Sequence, residues 1–394
     1  RDGAAHLGAH HERELARIEP GAEVGVDVVD PDRIRLDEDL APARLRPRLL
    51  DVTQNLGPTG LGDFHSVHVT IIPFHDQHRG ATVKRARPNL FHPRIVFASC
   101  RQLPDGDGDD AGLVAALRRR GLHARWLPWD DPQTETADLV ILRAAWDYTE
   151  RHAEFLNWTR RVRNLLNAPP VVAWNSDKRY LGDLAAAGVA VLPSAFFDPG
   201  EAVRVPRGEV VIKPTVGAGS VDTRRFTERQ AAEAHAGVLL EAGRSVLVQP
   251  YDARVEDGET ALVFLGGEQS HAFTKGPILP PAGELPPMHG SGTYAEETLT
   301  PADPDIELWE LGHAALDAAS SHLGVPRNEF LYARVDLIGT GGDALLLELE
   351  LVEPSLGWRQ LDAASRELRQ RDFALQVEAA CDRLGLGPLS HRRP

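Results

Sequence analysis

The spacing of apolar positions changes abruptly near residue 94, and most of the predicted structure lies beyond it. From Ile95 to Cys100, IVFASC is a continuous apolar run of the length expected for a strand buried on both faces. An acidic loop follows, then a helix over 110–120 that stops at Gly121. HARWLPW (123–129) and DLVILRAAW (138–146) read as the second and third strands. Strand, helix and strand in this order predict a small α/β unit with a parallel sheet. A helix over 152–166 and a fourth strand in VVAW (171–174) extend it.

The polar turn at 175–177 leads to Lys178 and a helix ending near Gly188, with Ser176 or Asp177 as its cap. EVVIKP (209–214) is a short strand that closes on Lys213 and runs into the small-residue loop TVGAGSVDT (215–223). Thr227–Gln230 has the form of a capping box opening a helix. SVLVQPY (245–251) and TALVFLGG (260–267), which follows Glu259, read as strands. FLYARVDLI (330–338) and LLLELELVE (345–353) flank the turn-rich GTGGD (339–343), which predicts a hairpin.

That hairpin carries the densest chemistry. Strand residues two apart share a face, roughly 6.5–7 Å from one another, so Glu348 and Glu350 point the same way. In-register antiparallel pairing sets even positions opposite even ones, which puts Arg334, Asp336, Glu348 and Glu350 on one face. Three carboxylates among leucines disfavour one another's ionisation unless a cation neutralises them. An oxygen-rich cluster of this kind suits Mg²⁺, which takes one or two carboxylates together with substrate phosphates. The alternative is the solvated outer face of an edge strand.

Phosphate chemistry comes from elsewhere in the chain. The glycines after Lys213 let backbone N–H groups approach phosphate oxygens, while the lysine supplies a point charge. A lysine before the glycines departs from the Walker pattern, and no GxGxxG opens a helix here. Lys178, in a helix's first turn, opposes the helix dipole, which an anionic ligand would explain; the plain alternative is a solvated side chain. Ligands of parallel sheets bind beyond the carboxyl ends of strands, which singles out Arg143, Trp146, Asp147 and Tyr148. Alternatively Trp146 and Tyr148 pack under the next helix while Arg143 pairs with Asp147.

Taken in order, the Asp177–Lys178 pair, Lys213 before its small-residue loop, VQPY (248–251), DGE (257–259), RVD (334–336) and ELE (348–350) resemble the ATP-grasp superfamily, from Arg94 to the C-terminus. The resemblance implies an α/β protein, α+β in its C-terminal part: a Rossmann-like pre-ATP-grasp domain (93–175), then a two-subdomain ATP-grasp fold (176–252 and 253–390). It implies that Lys178 and Lys213 contact the phosphates of ATP and that Gly217, Gly219 and Ser220 lie in the flexible loop covering them. Gln249 to Tyr251 would form a hinge whose backbone meets the adenine, with Glu259 on the ribose. Asp336, Glu348 and Glu350 would hold two Mg²⁺ ions, or Mn²⁺ in their place. Many members carry Asn where this chain has Glu350, which makes its site more negative. LRAAWDY, WNSDKRYL, VVIKPTVGAG and ELELVEPSL are similar to a subgroup near prokaryotic glutathione synthetase and the cyclo-ligase that closes the cycloserine ring.

The activity implied is ATP-dependent ligation on a small amino-acid-like substrate. A carboxylate attacks the γ-phosphate, giving ADP and an acyl phosphate, and an amine displaces phosphate, either between two molecules or within one. Arg334 has the rigid donor fork to hold the acyl phosphate or its parent carboxylate; its structural alternative is an ion pair with Asp336 or Glu348. Lys275 precedes ILPPAGELPPMHGSG (278–292), a loop suited to a lid or to an inert surface excursion. The acceptor pocket is expected among residues 143–148, 275–295 and 353–358. A non-catalytic ATP-binding regulator and a small-molecule kinase are the competing readings.

Composition narrows the class further. A net charge of -15 over 394 residues, with no basic stripe, argues against a nucleic-acid surface. Cys100 and Cys381 have neither disulfide-framework nor zinc-ligand spacing, and a reducing cytoplasm fits them. The absence of an apolar run of about 18 residues or of a signal-peptide pattern predicts a soluble protein without membrane contact. A homodimer stays open. Residues 1–92 lack Trp and Tyr and hold His6, His10, His11, His65, His68, His75, His78 and His92, so a poorly ordered extension is expected rather than a metal tract. Because the chain opens on Arg1 and its only methionine is Met288, a fragment or misplaced boundary is also expected.

Overall fold

The computed structural model describes Val24–Val26, Val67–Val69 and residues 92–282, 287–290, 295 and 297–387. Apart from its two short strands and His92, the expected extension over 1–92 lies outside the described residues. The chain divides into two compact units, Arg1–Ala86 and Arg87–Pro394. In the first, β1 (Val24–Val26) pairs antiparallel with β2 (Val67–Val69).

The second unit opens with a parallel sheet of order β4-β3-β5-β6, built from β3 (Arg94–Ser99), β4 (His123–Pro128), β5 (Leu139–Ala144) and β6 (Leu165–Leu166). α1 (Leu113–Arg119) links β3 to β4, and α2 (His152–Arg161) lies between β5 and β6. Every residue of β5 is buried, as its unbroken apolar run requires. VVAW is not the fourth strand: it lies in α3 (Pro169–Asn175), and β6 takes that place. Pro169 and Pro170 open α3, where a missing N–H is harmless and the fixed φ suits the first turn. Val171 and Val172 are buried there, and a four-residue apolar run cannot by itself separate strand from helix.

α4 (Tyr180–Ala186) follows. Its N-cap position is Arg179, whose N–H donates to Asp177 Oδ1 at 3.0 Å, while Ser176 is the C-cap of α3. A four-stranded antiparallel sheet of order β7-β10-β8-β9 comes next, from β7 (Ala195–Phe197), β8 (Val210–Pro214), β9 (Arg224–Phe226) and β10 (Val246–Pro250). α5 (Arg229–Glu241) packs on it through Ala232, Ala236, Leu239 and Leu240. The capping box does not form: α5 starts one residue late for it, so Glu228, without a side-chain cap bond, takes the N-cap position.

The third sheet, antiparallel with order β13-β12-β11-β14-β15, contains β11 (Glu259–Leu265), β12 (Glu268–Lys275), β13 (Leu299–Pro301), β14 (Tyr332–Ile338) and β15 (Leu345–Glu350). α6 (Ile306–Leu323) starts on Asp305, whose side chain accepts from Leu308 N, and stops at left-handed Gly324. α7 (Ala363–Arg383) buries Phe373, Ala374 and Val377 in a core shared with β3, β5 and β11, so the first and third sheets are held together by one apolar body. Two buried asparagines join α3 and the segment before it to the third sheet. Asn167 Nδ2 donates to Tyr332 O and Leu351 O, and Asn175 Nδ2 donates to Leu349 O while its Oδ1 accepts from Leu351 N.

Candidate active site

The hairpin β14–β15 pairs Arg334 with Glu350 and Asp336 with Glu348, so the even-to-even parity expected from the sequence holds where the charges are. Nearer the turn it fails: a bulge after Asp336 sets Leu337 against Leu346. Lys275, at the end of β12, lies opposite Glu259 at the start of β11, beside Asp336 across the sheet.

The charges interlock. Arg334 donates from Nε and Nη2 to Asp336 at 2.8 and 2.9 Å, from Nη2 to Glu350 Oε1 at 2.6 Å, and from Nη1 to Ser355 O at 2.9 Å. Lys275 Nζ stands 2.7 Å from Asp336 Oδ2 and 2.8 Å from Glu259 Oε2. Lys213 Nζ lies 2.8 Å and Lys178 Nζ 3.5 Å from Glu348 Oε1. Four carboxylates thus face four cations. Arg334 therefore takes the structural pairing with Asp336, and adds Glu350 rather than Glu348.

Electrostatics separates the acids. Burial opposes ionisation of Glu348, but the charges of Lys178 and Lys213 overcome it and hold the carboxyl well below its usual range. Burial is likewise outweighed at Asp336 by Arg334 and Lys275. Glu350 is pushed up to about 7 by burial, with Asp336 and Glu348 adding to the rise and Arg334 opposing it. Glu259 is raised by burial against the pull of Lys275.

These groups form one wall of a cavity of about 400 Å³. Lys178, Lys213, Gly217, Gly219, Ser220, Gln249, Tyr251, Glu259, Lys275, Arg334, Glu348 and Glu350 all line it. Asp336, 0% exposed, sits behind them. The glycine loop crosses the cavity with Gly219 and Ser220 both left-handed, at φ 59° and 61°, and Lys178 Nζ donates to Gly217 O at 3.1 Å. Positive φ of this kind is what a glycine-rich loop adopts where its backbone approaches a ligand closely. On the facing side, the β10–β7 ladder runs only from Val246↔Phe197 to Val248↔Ala195. Gln249 and Pro250 continue past it, with Gln249 Nε2 donating to Ser194 Oγ.

Trp146, Tyr148, Pro277, Ile278, Leu279, Glu353 and Ser355, from the three segments expected to form the acceptor pocket, also line the cavity, as do Arg359 and Gln360 from outside them. Of the 278–292 loop, 283–286 and 291–292 lie outside the described residues. Arg143 does not border the cavity: it pairs with Asp110, not Asp147, which instead accepts from Trp129 Nε1. Asp107 and Asp109, which the sequence reading passed over, line the cavity too. Their acidic loop carried no spacing signal. Both cysteines are buried with their pKa raised by burial, which leaves no thiolate nucleophile.

Among the described residues no group of three or more His, Cys, Asp or Glu side chains is already arranged around a metal position, because each acid here is held by a cation. The donor chemistry nevertheless fits a hard divalent ion: Glu348 and Glu350 border the cavity and are gripped through Oε1. Asp336 fits less directly, both its oxygens being engaged by Arg334 and Lys275.

A family model described as the N-terminal domain of D-cycloserine synthetase DcsG matches residues 95–167. The chain is 37% identical over 272 residues to the cycloserine biosynthesis protein DcsG of Streptomyces lavendulae, an alignment spanning 64% of this chain and 88% of that protein. The crystal structure of D-cycloserine synthetase DcsG superposes with a TM-score of 0.64 at 32% identity, over 74% of this chain and 99% of the other. The D-alanine–D-alanine ligase of Bacillus anthracis, complexed with ATP, shares the fold at a TM-score of 0.51 and 13% identity, over 74% and 98% of the two chains.

Proposed function

This chain belongs to the family of the cycloserine biosynthesis protein DcsG, ATP-grasp ligases that form C–N bonds, and from that premise we propose that it joins a nitrogen to a carboxylate through an acyl phosphate. The observation that carries the proposal is the convergence of Lys178 and Lys213 on Glu348, beside the Arg334 bridge, on the wall of a cavity that also holds a glycine loop.

In this reading ATP lies between the glycine loop and the Gln249–Tyr251 hinge, with Glu259 toward the ribose. Lys178 and Lys213 leave Glu348 for the phosphate oxygens, where cations neutralise the charge spread over the transferring group. Glu348 and Glu350, with Asp336 once Lys275 releases its Oδ2, would hold two Mg²⁺ or Mn²⁺ ions, which supply further neutralisation of the phosphates. Arg334, freed from part of its carboxylate load, grips the substrate carboxylate and then the acyl phosphate through its planar fork. Relatedness to a D-cycloserine synthetase favours ring closure within one small amino-acid-like molecule.

The test measures ADP and inorganic phosphate from MgATP across amino acids, short peptides and ureido or hydroxamate derivatives of serine. Equal amounts of both, released on addition of one carboxylate, support ligation. ADP without free phosphate would point to a kinase, and no stimulation by any member would overturn the substrate class.

A further inference from the structure

Glu353 lies three residues beyond Glu350 and is 7% exposed, yet it lines the cavity. Its Oε2 is buried and has no hydrogen-bond partner. Tyr148 is buried beside the same carboxyl group and acts on its titration, and Trp146 Nε1 donates to Glu353 O at 3.0 Å, which fixes the backbone in place. Buried polar atoms are nearly always paired, and an unpaired one on a ligand cavity points to a group supplied by the ligand.

The neighbours do not supply that group. Arg143 on β5 gives Nε and Nη2 to Asp110 and Pro354 O while its Nη1, also unpaired, makes no hydrogen bond to Glu353, and Lys178 before α4 bonds Gly217 O and Glu348. Glu350 on β15 is an acid, and its charge together with burial lifts Glu353 to about 8. Asp107 and Asp109 line the same cavity, with Asp107 lifted to about 6 by burial and by Asp110 and Asp109. A substrate carboxylate belongs with Arg334, whereas this acidic region suits nitrogen.

We propose that Glu353 receives the attacking nitrogen: Oε2 accepts its N–H, and takes its proton as the C–N bond forms. The proposal rests on the ligase reading above and names the residue that serves its second step. The nitrogen lone pair bonds to the acyl carbon, the carbon–oxygen bond to phosphate breaks with its electrons staying on the phosphate oxygen, and the nitrogen's proton passes to Glu353. Tyr148 is the positioning residue beside the carboxyl group. A carboxyl group titrating near the working pH is matched to that task.

The experiment compares wild type with Glu353→Gln, which keeps volume and a hydrogen bond but cannot accept the proton. It uses MgATP with whichever panel carboxylate releases ADP, with and without hydroxylamine as an external nucleophile. Glu353→Gln is expected to lower kcat for the native nitrogen about 100-fold, as loss of a general base does. The rise of rate toward about pH 8 should flatten, MgATP KM should stay within about twofold, and hydroxylamine should still trap the acyl phosphate as a hydroxamate. Undiminished C–N bond formation, or its fall in step with hydroxamate trapping, would overturn the role of Glu353 and leave the ligase reading standing. Absence of ADP release from wild type would overturn that reading, and this role with it.

Discussion

Arg143 on β5 and Arg334 on β14 are both almost fully buried and both paired with aspartate, yet only Arg334 borders the cavity. Arg143 meets one carboxylate, Asp110, which also accepts from Trp358 Nε1; its guanidinium stands 4.8 Å over the Tyr332 ring and bonds Pro354 O. That arrangement ties the first sheet to the third through protein groups alone. Arg334 instead meets two carboxylates within a cluster of four acids and four cations, and burial pushes one of them, Glu350, up to about 7. Burial and pairing therefore do not distinguish a joint from a site. A dense set of interlocked charges beside open volume does.

The largest effect that would break this contrast is on turnover. Glu348→Ala should bring Mg²⁺-dependent ADP formation to background while unfolding stays cooperative, since it truncates a partly exposed side chain and opens no core cavity. ADP assays beside a thermal melt check both halves. Arg143→Met should do the reverse, lowering stability by about 3–5 kcal/mol because Asp110 is left buried and uncompensated. Denaturant titration measures this, MgATP KM should hold, and adding Asp110→Leu should restore much of the loss.

A third effect depends on pH. Glu350 and Glu353 titrate near 7 and 8 in the folded chain, above the ordinary carboxylate range. The native state thus keeps protons that the unfolded chain has lost, and the stability these two groups contribute falls as pH rises from about 4.5 to 8. Glu348 and Asp336 are shifted the other way, so their contribution is lost only as pH falls below the ordinary carboxylate range. Below about pH 6.5, His152, His235 and His271, with pKa lowered by burial, oppose the fall due to Glu350 and Glu353. In buffer free of divalent cations, the melting temperature should therefore decline between about pH 6.5 and 8, and Glu350→Gln should flatten that decline. The smallest expected effect is that of Ser220→Gly, which relieves one left-handed residue and should change stability by about 1 kcal/mol or less.

Much of this was legible from local pattern. Strand periodicity placed Arg334, Asp336, Glu348 and Glu350 on one face, and the observed register keeps them there. The ordered motifs identified the superfamily and its fold, which the relatives share. What escaped was non-local. Asp110 lies 33 residues before Arg143, and no spacing rule joins them. The two prolines ahead of VVAW outweighed its β-branched residues. Glu353 could be named as pocket lining, but its unpaired oxygen exists only once Tyr148, Arg143 and Lys178 have found their own places.

The most direct test of the contrast is Mn²⁺ binding in the presence of ATP, followed by electron paramagnetic resonance, for wild type, Glu348→Ala and Arg143→Met. Wild type and Arg143→Met should take up Mn²⁺ with ATP, and Glu348→Ala should lose it. Retention by Glu348→Ala with loss in Arg143→Met would contradict the account.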